Sequence, residues 1–186
     1  GYQAKMREPV TMYDPSERGI MPAVTEKFLG GEGIPGVDRI PAHLRNTYNT
    51  EDELRAVVEE LNRAYLEAAP QVVEYETVDA EDADVLIIAH GVVTRAAKAA
   101  VKQLREQGIK AGHFRPITLR PFAAEALKPL AQKAKLILVA ESSLGQLEKI
   151  VTNAIYGCTT PIEKFFKPGE GITDEELVEK VKAMKY

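Results

Sequence analysis

Short apolar runs alternate, through the second half of this chain, with stretches whose apolar residues recur every three or four positions. Asp84 to Ala89 and Leu136 to Ala140 are the clearest runs. The first is apolar on both faces, the mark of a buried parallel strand. Strands are also expected over 72–78, an edge strand by its alternation, over 109–114 and over Ile162 to Phe166. Between them, Ala97, Ala100, Val101 and Leu104 line one helix that stops at Gly108. Pro121-Phe122 opens a second, running through Leu127, Leu130 and Ala134. Leu147, Ile150, Val151 and Ala154 line a third over 145–156. Thr50-Glu51-Asp52-Glu53 and Thr173-Asp174-Glu175-Glu176 have the form of capping boxes. They start a helix with a Leu54, Val57, Val58, Leu61 face ending near Pro70, and a last helix through Leu177, Val178, Val181 and Met184. Strands alternating with helices predict an α/β class domain, a three-layer α/β/α sandwich with a mostly parallel sheet. The predicted boundary places a Pro- and Gly-rich arm or linker at 1–49 and the α/β domain at 50–186.

In such a sheet, ligands and partner subunits meet the loops at the carboxyl edge of the strands. That makes three loops the candidates. His90-Gly91 follows the first buried strand, and amides near Val92 to Thr94 suit an anion; a tight turn with a surface histidine explains the same residues equally well. Arg115-Pro116-Ile117-Thr118-Leu119-Arg120 carries two guanidinium groups on a proline-stiffened loop. These fit a phosphate, a carboxylate or an acidic partner surface, or salt bridges to local carboxylates. Glu141-Ser142-Ser143-Leu144-Gly145-Gln146 follows the second run. Its glutamate is either an acid or base with a raised pKa or a group that caps or bonds a neighbouring loop.

Composition narrows the classes. A formal charge of −4 over 186 residues, with no basic stripe carrying aromatics, argues against nucleic acid. No apolar run approaches the ~20 residues of a membrane span, so a soluble cytoplasmic chain is expected, with no membrane partner. Cys158 is the sole cysteine, which excludes an intrachain disulfide and a cluster ligated by this chain's cysteines. His43 and His113 lack metal-ligand spacing, and no metal site or catalytic triad is expected. Gly31-x-Gly33-x-x-Gly36 matches a dinucleotide fingerprint only as a string, because prolines flank it and no periodic helix follows. The opening at Gly1 in place of Met reads as a processed, cut or fused start.

His90-Gly91 through Arg95, Phe114 to Leu119, Pro121-Phe122 and Glu141 to Gln146 together resemble the C-terminal domain of 2-oxoacid:ferredoxin oxidoreductase α subunits, closest to the 2-oxoisovalerate type. Met6 to Val10 is similar to the segment leaving the pyrimidine-type thiamine domain, and Pro161 to Gly171 to the end of such subunits. The sequence departs at Arg120, where the family commonly has tryptophan, and at Ser142-Ser143, where a Met-Asn pair is common. The resemblance implies the transketolase C-terminal fold and a part in oxidative decarboxylation of a 2-oxo acid, such as 2-ketoisovalerate or pyruvate, to acyl-CoA with ferredoxin reduction. It implies thiamine diphosphate, magnesium and iron–sulfur clusters in the complex, with none bound by this chain alone. Partners would be the thiamine-binding and iron–sulfur subunits, with coenzyme A and ferredoxin met through the complex. It also implies an interface role without catalytic residues and no activity in isolation. The same domain of a lipoamide-linked 2-oxoacid dehydrogenase β subunit, and a free-standing anion-binding scaffold, remain alternatives.

Overall fold

The computed structural model describes residues 48–184. The expected arm, the glycine-rich string and His43 lie outside the described residues. Two compact units divide the chain: described residues 48–63 fall in one, 64–184 in the other. In the first, Thr50 Oγ1 accepts the Glu53 amide at 3.2 Å. The Glu53 carboxylate reaches the Asn49 amide at 3.2 Å, one residue before the expected cap. Helix α1 spans Glu51–Val72, so it continues past Pro70, and no α1 residue is buried. A proline in the last turn removes only one late bond, and the Val73 amide still reaches Ala69 O at 3.1 Å.

The second unit carries the sheet. Its strands are β1 (Tyr75–Val78), β2 (Val85–Ile88), β3 (Ala111–Pro116), β4 (Leu136–Glu141) and β5 (Ile162–Phe166); its helices are α2 (Val93–Glu106), α3 (Ala124–Lys133), α4 (Gln146–Ala154) and α5 (Asp174–Ala183). The strand order is β1-β3-β2-β4-β5. Only β1 runs antiparallel, at the edge. Val85 to Ile88 are fully buried in the central strand, and each such side chain contributes about 1.5–3 kcal/mol. Alternate residues feed two cores. Val85, Ile87, Leu136 and Leu138 meet Ala97, Val101, Leu177 and Val181 of α2 and α5. Leu86, Ile88, Ile137 and Val139 meet Leu127, Leu130, Leu147 and Val151 of α3 and α4. The sandwich is therefore three-layered, as the alternation predicts.

Three boundaries differ from the sequence expectation. The strand expected over 72–78 starts at Tyr75 because α1 occupies Val72. The strand expected over 109–114 starts at Ala111, since the Ile109 amide still bonds Leu104 O at 3.0 Å in the end of α2; pairing of Tyr75 with Pro116 extends it at the other end. Pro121-Phe122 does not open α3. Leu119 and Phe122 instead pair across a tight turn, with a cis peptide before Pro121, and α3 begins at Ala124.

From β2 the chain passes through α2 to β3 on one side, then through α3 back across β2 to β4 on the other. The crevice between the carboxyl ends of β2 and β4 is thus the topological switch point. The loops bearing His90-Gly91 and Glu141 to Gln146 flank it.

Candidate functional site

Glu141 ends β4, 1 % exposed. Its carboxylate accepts the Leu147 amide at 3.0 Å and the Glu148 amide at 3.1 Å, while the Ser143 hydroxyl donates to it at short range. Gly145 occupies the cap position of α4 at φ +92° and has no side chain to offer. Glu141 therefore supplies the cap from four residues upstream and places a negative group at the positive end of the helix. Gln146 Oε1 accepts the Leu144 amide at 2.8 Å. Ser142 Oγ lies 2.6 Å from Glu170 O and 3.3 Å from Lys167 O, tying the loop to the turn after β5. The structure thus gathers Glu141, Ser142, Ser143, Gly145 and Gln146 into one stitched loop.

The loop after β3 is held by the segment just before β1. Ile117 and Thr118 donate their amides to Glu74 O at 3.0 and 3.1 Å; Thr118 Oγ1 accepts the Glu74 amide at 3.0 Å. Arg115 Nη1 bonds Glu76 at 3.1 Å, and Lys98 reaches the same carboxylate at 2.7 Å. The Lys98 bond above all holds the Glu76 carboxyl below its usual range. Arg120 lies instead over the Tyr65 ring, 5.6 Å from its centre. The two arginines are engaged by different partners. After β2, His90 is half-buried and Gly91 turns the chain at φ +57°.

Two features of this region carried no sequence signal. An apolar cavity of ≈ 550 Å³ is lined by Ala69, Val73, Tyr75, Pro121, Phe122 and Ala126; it depends on residues far apart in sequence. His113 on β3 is fully buried with Nδ1 3.0 Å from Ile87 O. Burial pushes its pKa down to about 4, so it is a neutral ring donating from Nδ1. Its Nε2, Thr94 Oγ1 and Arg115 Nε are buried without a hydrogen-bond partner.

Beside the exposed Arg120 and Gln146, the loops present four large apolar side chains outward. Val92 is 53 % exposed, Ile117 46 %, Leu119 38 % and Leu144 71 %. The polar groups of Thr118, Glu141, Ser142 and Ser143 bond within the loops and their neighbours and fix the backbone. Such an edge suits contact with another surface better than chemistry in water.

An α/β/α sandwich with one antiparallel edge strand and its site at the switch point defines the class, that of transketolase C-terminal-like domains. Residues 83–173 match the family described as pyruvate:ferredoxin oxidoreductase core domain II. The chain is 37 % identical over 107 residues to ketoisovalerate oxidoreductase subunit VorB of Methanothermobacter marburgensis, covering 58 % of this chain and 30 % of that one. It is 42 % identical over 66 residues to 2-oxoglutarate synthase subunit KorA of Methanocaldococcus jannaschii, covering 36 % and 18 %. A solved 2-oxoglutarate:ferredoxin oxidoreductase from Magnetococcus marinus shares the fold, with a TM-score of 0.59 and 22 % identity over 79 % of this chain and 25 % of that chain. The chain spans less than a third of these curated relatives.

The described residues hold no set of metal ligands. No group of three or more His, Cys, Asp or Glu converges there as metal ligands, and a single cysteine does not supply the thiolates of a cluster. Nor is any described helix long and apolar enough to cross a membrane.

Proposed function

We propose that this chain is the contact domain of the α subunit of a 2-oxoacid:ferredoxin oxidoreductase, which oxidatively decarboxylates a 2-oxo acid to its acyl-CoA and passes the electrons to ferredoxin. One observation carries the reading. Within the stretch that matches the family, the carboxyl-edge loops hold themselves by polar groups such as Glu141 and Thr118 and turn Val92, Ile117, Leu119 and Leu144 outward. In this reading residues 50–186 form the domain and 1–49 the arm from a preceding thiamine-binding domain. Thiamine diphosphate with its magnesium, and the iron–sulfur clusters, sit on other domains or subunits of a cytoplasmic complex, where coenzyme A and ferredoxin are also met. The names of the relatives support a branched-chain 2-oxo acid, 2-oxoglutarate or pyruvate as the substrate.

Within this chain the chemistry is positional. Glu141 fixes α4, Thr118 fixes the loop after β3, and Gly91 and Gly145 permit the two turns. No proton or electron transfer falls to these groups. The test is to capture the tagged chain from its native extract and assay the eluate for CoA-dependent dye reduction with a panel of 2-oxo acids. Co-elution of thiamine- and cluster-bearing subunits with such activity is expected. A lipoamide acyltransferase in their place, or recovery of the folded chain alone, would contradict the reading.

A further inference from the structure

The cavity beside the start of β1 has a volume of ≈ 550 Å³ and mostly apolar walls. Val73, Phe122 and Ala126 line it and also pack on the core under α3 and α4, so the fold fixes these walls. Tyr75, a further wall, is stacked on the buried Phe114 ring, with centres 5.5 Å apart and planes 12° from parallel. Ala69 at the end of α1 and Pro121 in the turn before α3 supply the remaining sides. All of these residues belong to the second compact unit. The volume falls within the roughly 300–1,000 Å³ of small-molecule sites, which are likewise apolar, pre-formed and oriented by a few polar groups.

One cation stands at the rim. Arg120 directly precedes the lining residue Pro121, and its guanidinium carbon lies 5.6 Å from the centre of the Tyr65 ring. Tyr65 is one helical turn before Ala69 on the same face of α1, so the stack sets the guanidinium at the α1 side of the cavity. Lys98, Arg105 and Arg115 each pair with a carboxylate; among the described residues none pairs with Arg120. Stacking occupies the face of the guanidinium and leaves its N–H groups, which lie in the plane, open to a bidentate bond with a carboxylate. The ring also holds the side chain in place, which lessens the freedom lost on binding. Glu125, the acidic residue of the lining, is exposed in the first turn of α3, where solvent screens its charge. From this geometry we infer a binding site for a small monocarboxylic acid with an aryl or branched alkyl body, the body in the cavity and the carboxylate on Arg120. A neutral or cationic molecule of the same shape leaves the guanidinium unmatched. The site is independent of the assembly reading and stands if that reading fails.

The test is a titration of the isotope-labelled 186-residue chain with hydrocinnamate at constant ionic strength, followed by NMR at Ala69, Val73 and Ala126. Saturable shifts at all three are expected. Hydrocinnamamide, the uncharged isostere, should bind about tenfold more weakly, the equivalent of losing a charge-assisted hydrogen bond. Arg120→Gln should weaken hydrocinnamate by the same factor and bring acid and amide to equal affinity. Ala69→Phe, at a half-exposed position of α1, fills the cavity and should abolish the shifts at Val73 and Ala126 with either probe. Both variants change surface positions and should melt with the parent. The inference is overturned if hydrocinnamate gives no saturable shift at these residues, or if Arg120→Gln keeps the parent's preference for the acid. Shifts at the same residues on raising the chain concentration without probe would place a second copy there and overturn it as well.

Discussion

Gly145 and His113 show how single positions set the stability of the sheet edge. At φ +92° Gly145 occupies a backbone region that L side chains rarely adopt, and an added Cβ would come 3.1 Å from the Phe166 ring. Both effects act together in Gly145→Val, which should lower stability by roughly 1–3 kcal/mol. An unchanged melting temperature would show that neither holds. His113 makes a pH prediction of definite sign. Its ring takes no proton in the folded state until about pH 4, against 6.5 for an ordinary histidine. Between those values the unfolded chain binds a proton that the folded one refuses, so stability falls as pH drops from about 6.5 toward 4, by on the order of 3 kcal/mol in all. Denaturant unfolding of the parent and His113→Gln across this window should give curves that converge as pH falls. Parallel curves would contradict a buried neutral imidazole.

The two helix starts at α4 and α5 differ in how they are capped, and the difference explains what sequence reading reached. Thr173 and Glu176 form a reciprocal box at α5, with bonds of 3.2 and 3.0 Å, and all its partners lie within four consecutive residues. The box was legible for that reason. At α4 the cap comes from Glu141, across the loop, and the sequence offered acid–base chemistry and capping as alternatives for it. Which one holds depends on where Leu147 and Glu148 place their amides, a matter of tertiary geometry. Glu141→Gln should cost about 1–3 kcal/mol, because an amide N–H₂ then faces amide donors, and should speed hydrogen exchange at Leu147 and Glu148. Thr173→Ala should cost about 1 kcal/mol and leave exchange at α4 as it was. Strand identities were readable from apolar runs such as Val85 to Ile88, whose burial is set by composition. Their ends were not, since Ala111 and Tyr75 start where a helix end or a cross-strand partner dictates. Arg115 and Arg120 were recognisable as candidates, while Glu76 and Tyr65, distant in sequence, carried no sign of being their partners.

For the molecule as a whole, the central claim is that the carboxyl edge of the sheet is a surface made to be covered. Its backbone is fixed by Glu141, Ser142, Gln146 and Thr118, and each of three separate loops turns large apolar residues outward. A surface of that kind answers to charge at its centre and not to charge elsewhere. Leu144 and Ile117 are exposed and contribute little to the core, so aspartate there should leave the fold intact, within about 0.5 kcal/mol, yet break the contact, because a buried unpaired carboxylate is strongly unfavourable. The most direct measurement is capture from native extract with the parent chain and with the Leu144→Asp, Ile117→Asp double variant, both checked for equal melting temperature. The expected result is that thiamine-binding and iron–sulfur subunits elute with the parent and are lost from the variant. Equal recovery of those subunits with both chains would contradict the claim that this edge is the contact surface.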